Sequence, residues 1–381
     1  MLSEDASVFQ IDSDLIDNNF LEKIGEAYNR RLQKLYAKGC DGNCYQPINE
    51  EPYRDLMVFY LHLTFNCPLR CSFCYADGGV RKSAELTAVQ HYEILQDAVR
   101  AGFSKLVLTG GEPLVYKEFD RLLNLLDNFE HKDISLVLRS SLSFPIPQER
   151  LAKIAAVFDS VVVSIDGTEE RHDSIRGAGR FAQAMDNINR LQSCKGCRLE
   201  LASVMEKPLY EGEQGRFIKE LAAKLNASRI TINAPKPLGR GMNMDVEYFV
   251  WKWPSKGFGL PRMRFGCGLG HNLYVEPDGN VYPCNAVCTS KHLLGNLTKV
   301  KLQDILENGK LLIYSNMGVD TNAKCKNCHV RYLCGGMCKA YFKDKDNPDS
   351  GDFYCYRKKN LLEKLLAHGI KLCEDDLYLF K

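Results

Sequence analysis

The sequence predicts an α/β protein, a parallel sheet covered by helices, followed by a cysteine-rich domain. Three observations carry this expectation. From about residue 57 to about 235, short apolar runs alternate with amphipathic helical stretches, about six times. Polar or glycine-rich sequence (NCPLRC, TGGEP, SIDG) follows the strand-like runs. Sixteen cysteines fall in tight groups rather than at random.

Residues 1–55 read as a polar, mostly helical lead-in: LIDNNFLEKIGEAYNRRLQKLY has apolar residues at near-helical spacing, and KGCDGNC breaks it with two glycines. The repeat region, 56–235, begins with LMVFYLHLTF, a strand-like run that ends just before Cys67. AVQHYEILQDAVRAG then reads as a helix with Gly102 as its C-cap. The strands KLVLTGGEP, ISLVLRSS, SVVVSIDG, RLELASVM and RITINAP follow, separated by the helices FDRLLNLLDNFE, QERLAKIAAVF, FAQAMDNINRLQS and GRFIKELAAKL. Residues 236–266, rich in Gly, Pro and aromatics, read as a bridging segment. Residues 267–355 carry short elements between cysteines, as in a metal-stapled domain, and 356–381 hold a final helix, NLLEKLLAHGI, and a tail. In parallel α/β sheets the site lies at the carboxyl ends of the strands. The three polar turns therefore share one rim.

Bulk properties exclude several classes of function. Fifty basic against 48 acidic residues leave a net charge of +2, which gives no case for nucleic acid or an anionic membrane. No stretch approaches the roughly 20 apolar residues of a membrane span. The acidic start, MLSEDASVFQIDSD, lacks the apolar core of a secretory signal. The expectation is a cytoplasmic protein, whose cysteines serve metal or redox chemistry rather than disulfides.

Cys67, Cys71 and Cys74 form CxxxCxxC in the loop after the first strand. Three thiolates within eight residues can hold three irons of a cubane and leave the fourth open for a ligand. A three-thiolate zinc site or a redox pair is the alternative.

CPLRCSFCY, residues 67–75, resembles the signature of the radical S-adenosylmethionine (radical SAM) superfamily, and GGEP at 110–113 and SIDG at 164–167 follow in the order that family has. The resemblance covers roughly 57–235 and implies a partial (β/α)6 TIM-type barrel with a catalytic [4Fe–4S] cluster on Cys67, Cys71 and Cys74. It places Phe73 and Tyr75 beside the cluster. Gly110, Gly111, Glu112 and Pro113 would meet the methionine amino group, and Ser140, Ser164, Asp166 and Arg176 would contact the rest of S-adenosylmethionine. The physics agrees: Glu112 suits an ammonium and the glycines permit close backbone approach. Asp166 would serve equally as a helix cap, and Arg176 as a solvated arginine.

A second array runs Cys267, Gly279-x4-Cys284, Cys325-x2-Cys328-x5-Cys334-x3-Cys338 and Cys355. It resembles the SPASM extension of that superfamily, which holds two auxiliary [4Fe–4S] clusters; the alternative is a zinc ribbon. The resemblance assigns Cys325, Cys328, Cys334 and Cys355 to one cluster and Cys267, Cys284 and Cys338 to the other. The latter set lacks a fourth thiolate, which suggests an open site, with Cys288 the nearest possible cap. Cys40, Cys44, Cys194, Cys197 and Cys373 have no assigned role.

The implied activity is that of a radical SAM oxidoreductase with three [4Fe–4S] clusters, acting with an external one-electron reductant of flavodoxin or ferredoxin type. Relatives with this extension mostly mature peptides or proteins, forming thioether or carbon–carbon crosslinks in ribosomally made peptides, or formylglycine in sulfatases. Others act on small molecules as dehydrogenases. Peptide maturation is the expected function. In the sulfatase maturases an aspartate follows the auxiliary-cluster cysteine, whereas Asn285 follows Cys284. The 55 residues before the first strand are too few for the leader-binding winged helix of many peptide maturases. An iron–sulfur electron carrier is the non-enzymatic alternative; it would need neither GGEP nor SIDG.

Overall fold

In the computed structural model the chain leaves β1 (Val58–His62) into the cysteine loop and then alternates helix and strand. The structure describes residues 58–79, 84–130, 134–194, 196–244, 250–253 and 269–315, with 322, 325, 326 and 338. The helices expected in the lead-in and near the C-terminus lie outside these residues. The elements are α1 (Ala88–Arg100), β2 (Lys105–Thr109), α2 (Phe119–Leu126), β3 (Ser135–Ser140), α3 (Gln148–Val157), β4 (Ser160–Ser164), α4 (Glu169–Arg176), α5 (Arg180–Ser193), β5 (Arg198–Val204), α6 (Lys207–Glu211), α7 (Glu213–Lys224) and β6 (Arg229–Asn233). After these come β7 (Val250–Trp253), β8 (Asn272–Val275), β9 (Asn280–Tyr282), β10 (Gly295–Asn296), α8 (Leu302–Glu307) and α9 (Lys310–Ser315).

Local chemistry sets these boundaries. Thr87 caps α1 in a reciprocal box: its hydroxyl accepts from Gln90 N at 3.3 Å, and Gln90 Oε1 accepts from Thr87 N at 2.9 Å. Gly102, at φ +86°, ends the same helix as expected. The sequence reading lacks α4, whose strongly polar sequence EERHDSIR has no apolar period, yet it carries Arg176.

Among the described residues the sheet has ten strands, in the order β10-β9-β8-β1-β2-β3-β4-β5-β6-β7. Strands β1 to β6 are parallel throughout, and β8 is also parallel to β1, pairing Val58 with Asn272. Strand β7 lies antiparallel on β6, and β9 antiparallel on β8. The register puts Tyr60, Val107 and Val137 on one face. There Val107, Val137 and Val162 pack with Val58, Tyr60 and Ala202. Alternate residues such as Phe59, Leu61, Leu106, Leu108, Leu138 and Val163 are fully buried on the other face. Both faces are covered, as parallel sheets require.

One set of hydrogen bonds shows that this sheet curls. Five strand spacings separate β1 from β6, about 24 Å if flat. Yet Arg240, just after β6, donates to the carbonyls of Cys71 and Cys74, just after β1, at 2.8 and 3.0 Å. Strands β1 to β6 therefore form the partial barrel, with Tyr60, Val107 and Val162 on its inner face.

The chain divides into two compact units. One comprises residues 55–254 and 270–311 and holds the whole sheet; the other comprises 1–54, 255–269 and 312–381. The first thus takes in part of the expected bridging segment and the first hairpin of the expected cysteine-rich domain, because β8 pairs with β1.

Candidate functional site

The cysteine loop is gripped along its entry. Leu63 N donates to Thr109 O at 2.9 Å, Gly111 N to Thr64 O at 2.7 Å, and Glu112 N to Asn66 O at 2.8 Å. The returning chain adds Gly79 N to Phe65 O at 2.8 Å. A Cβ at Gly111 would stand 2.5 Å from Asn66 O, so the glycine turn is needed for the loop to seat. Within the loop Cys74 N donates to Cys71 O, and Gly78 N donates to Cys74 Sγ at 3.5 Å. Cys71 is buried, and Cys67 and Cys74 are half-buried.

Glu112 is buried at this turn, and its carboxylate is fully subscribed. Oε1 accepts from Ser140 Oγ (2.7 Å) and Leu114 N (3.3 Å); Oε2 accepts from Ser141 N (2.8 Å) and Ser141 Oγ (2.7 Å). Four donors match the acceptor capacity of a carboxylate. Burial pushes its pKa upward, and these bonds oppose the shift. Ser140, expected at the cofactor, donates to Glu112. It points to the helix-covered face, whereas its neighbour Arg139 lies on the inner face in register with Val162.

Asp166 and Arg176, expected as separate contacts, meet each other. Arg176 Nε donates to Asp166 Oδ2 at 2.6 Å, with the side chains 9% and 0% exposed. Asp166 Oδ1 accepts from Val204 N at 2.8 Å, and Arg171 donates to the Asp166 carbonyl. Asp166 N donates to Nδ1 of buried His172 at 3.3 Å. Burial works against the Arg176 charge, yet Asp166, Cys71 and Cys67 hold its pKa above the ordinary value. The pair therefore lies within electrostatic reach of the cysteines. Burial pushes the Cys71 thiol up, and Arg176 eases it. Cys67 is pushed up to about 12 by burial, with Glu112 and the other two thiols adding to the shift.

Ser164 ends β4 on the inner face, two residues beyond Val162. Pro113 opens a short 3-10 turn for which Glu112 is the cap. Phe73 lies against Gly241, and Lys236 sits 5.3 Å over the Tyr75 ring. Burial raises the Tyr75 pKa, opposed by Lys236, Arg139 and a hydrogen bond with the Asn285 side chain. Of the second array, Cys284, Cys325 and Cys338 are described, with Cys288 beside Cys284; Cys267, Cys328, Cys334 and Cys355 lie outside the described residues. Cys284 Sγ accepts from Ala286 N at 3.4 Å, and Cys288 Sγ donates to Cys284 O at 3.5 Å. Cys194 and Cys197 lie between α5 and β5, at the rim opposite the cysteine loop.

Sequence reasoning missed Ser141, His172 and Arg240. Ser141 was legible as the third letter of RSS. Arg240 follows β6 in a stretch without periodicity and had no signal.

Among the described residues no three Cys, His, Asp or Glu side chains converge on one ion. A cubane does not require that, because each thiolate holds its own iron. The CxxxCxxC loop, an N–H directed at Cys74 Sγ, and the buried Arg176 acting electrostatically on Cys71 fit such a cluster. The fold and loop together define an iron–sulfur enzyme built on a partial parallel barrel.

Comparison with known proteins places it further. Residues 61–198 match the model of the Radical SAM superfamily, and residues 267–329 match the SPASM iron–sulfur cluster-binding domain. The sporulation killing factor maturation protein of Bacillus subtilis is 34% identical over 298 residues, 70% of this chain and 67% of that protein. The mycofactocin maturase of Mycolicibacterium smegmatis is 25% identical over 308 residues, 73% of this chain and 76% of that protein. The crystal structure of Streptococcus suis SuiB bound to S-adenosylmethionine shares the fold, with a TM-score of 0.61 and 16% identity, covering 87% of this chain and 82% of that one. The chain belongs to the radical SAM superfamily and to its SPASM subgroup, and it is an enzyme.

Proposed function

We propose that this enzyme matures a peptide, oxidising it through hydrogen abstraction to form a thioether or carbon–carbon crosslink or a related modification. The observation that carries the reading is the cysteine loop held on the barrel rim by the glycine turn, through Gly111 N to Thr64 O and Glu112 N to Asn66 O, with Glu112 and the Asp166–Arg176 pair acting electrostatically on Cys67 and Cys71. The 34%-identical relative, itself a maturation protein, supports a peptide as the substrate.

Cys67, Cys71 and Cys74 would each hold one iron of a [4Fe–4S] cluster. Bound there, the cluster and S-adenosylmethionine supply reductive cleavage to a 5′-deoxyadenosyl radical. Gly110, Gly111 and Pro113 shape the turn that would meet the amino group, and Ser140 and Ser141 fix the Glu112 carboxylate. Asp166 occupies one of Arg176's five donors, which leaves the guanidinium able to serve a carboxylate too. Ser164 offers a hydroxyl from the inner face. Two auxiliary clusters, on the array from Cys267 to Cys355, would accept the second electron, and a flavodoxin or ferredoxin would supply the first. No described helix is long and apolar enough to cross a membrane.

A sulfatase-maturase reaction is disfavoured. Asn285 is an amide bonded to Tyr75 and cannot accept a proton at neutral pH. The test is anaerobic: reduced, reconstituted protein given S-adenosylmethionine should release 5′-deoxyadenosine and contain about twelve irons per chain. Full iron without that product would overturn the enzymatic reading; iron near four would remove the auxiliary clusters from it.

A further inference from the structure

Arg240 lies beyond the residues that match the superfamily model, in the turn after β6, yet it holds the cysteine loop at three levels. Its Nε donates to Cys71 O at 2.8 Å. One terminal nitrogen donates to Gly78 O at 2.8 Å and to Asp77 Oδ1 at 3.0 Å. Its backbone N donates to Cys74 O at 3.0 Å. The turn is shaped for this approach. Gly239 sits at φ +55°, and a Cβ there would be 2.4 Å from Cys74 O and 2.6 Å from Tyr75 O. Asp77 takes a left-handed φ of 47°, a conformation that Asp tolerates better than most non-glycine residues.

We propose that Arg240 is the positioning residue of the first cluster: its guanidinium fixes the span from Cys71 to Gly78, and its charge, balanced by Asp77, tunes the cluster's reduction potential. The proposal deepens the reading above and rests on Cys67, Cys71 and Cys74 holding that cluster. A cubane on three thiolates is anionic, and nearby charge and hydrogen bonds set its potential. Removing the cation makes reduction harder; removing the Asp77 carboxylate makes it easier. A purely structural brace predicts no such opposition of sign. Lysine keeps the charge but, lacking the planar fork, cannot span the same acceptors.

The experiment is a redox titration of the first cluster, followed by electron paramagnetic resonance, in full-length wild type and the variants Arg240→Gln, Arg240→Lys and Asp77→Asn. Iron loss to a chelator is followed in parallel. Expected are a more negative potential for Arg240→Gln, a less negative one for Asp77→Asn, and a potential near wild type for Arg240→Lys. Both Arg240 variants should lose the cluster faster, by about tenfold, the value of one charge-assisted hydrogen bond. Potentials that are unchanged, or that shift in the same direction in Arg240→Gln and Asp77→Asn, would overturn the tuning role. Cluster loss at the wild-type rate in Arg240→Lys would overturn the brace. Cys71→Ala serves as the control for the cluster itself: if it keeps every signal of the wild type, the assignment of the cluster to Cys67, Cys71 and Cys74, and not the role of Arg240, is overturned.

Discussion

The two cysteine systems of this chain differ in who does the organising. Cys67, Cys71 and Cys74 lie within eight residues, and the barrel rim grips their loop through the glycine turn, Arg240 and Gly79. The set assigned to one auxiliary cluster, Cys267, Cys284 and Cys338, spans 72 residues. Closing such long loops has an entropic cost that grows with length, and metal binding can meet it. The first site is thus shaped by protein before metal arrives; the second, whose expected ligands Cys267, Cys328, Cys334 and Cys355 lie outside the described residues, is proposed to take its shape from metal. Accordingly, chelating all iron should leave residues 58–244 protected from hydrogen exchange and expose the segment from Cys325 to Cys355. Equal loss of protection in both would erase the contrast.

Single substitutions sharpen it further. The largest effect is expected from Cys71→Ala, which should abolish 5′-deoxyadenosine formation while leaving the auxiliary clusters spectroscopically intact. Surviving cleavage would show that the first loop does not hold the catalytic cluster. Next is Asp166→Ala, which strands Arg176 as an unpaired buried cation and should cost about 3–5 kcal/mol in denaturant unfolding. A cost below about 1 kcal/mol would mean that the pair is not part of the preformed rim. Gly111→Ala drives a Cβ to 2.5 Å from Asn66 O and should cost about 1–3 kcal/mol and weaken cluster retention.

The smallest effect concerns pH. His91 is fully buried on α1 with neither ring nitrogen hydrogen-bonded among the described residues, and burial lowers its pKa from 6.5 to about 3. The folded state therefore binds the proton less readily than the unfolded chain. The stability His91 contributes is complete above about pH 6.5 and is lost as pH falls toward 3, with a limiting slope of about 1.4 kcal/mol per pH unit. His91→Phe should flatten unfolding free energy between pH 7 and 5.5. An unchanged slope would move the dependence to His62 or His172, each lowered to about 4.

What was legible in the sequence followed from periodicity and spacing. Apolar runs such as KLVLT and SVVVS are fully covered strands, and the three motif turns do sit after β1, β2 and β4. What was illegible depended on the third dimension. The Asp166–Arg176 pair joins two residues ten apart through α4, a helix with no apolar face to announce it. Glu112 and the serines at 140 and 141 meet only because β2 and β3 are neighbours. Arg240 reaches the cysteine loop across the curl of the sheet, and no local pattern encodes a closure of that kind.

The pairing of β8 with β1 decides where the protein can be cut. Exchanging the C-terminal cysteine array between relatives at residue 266 would part β1 from its own β8 and set a relative's strand against it, and a mismatched strand would bare the hydrogen-bonding edge of β1 and invite association with other chains. A graft joined near residue 311 would carry the β8–β9–β10 meander with its host barrel and leave that edge closed. The seam that matters for building chimaeras runs inside the second motif, after Cys284, rather than at its first cysteine.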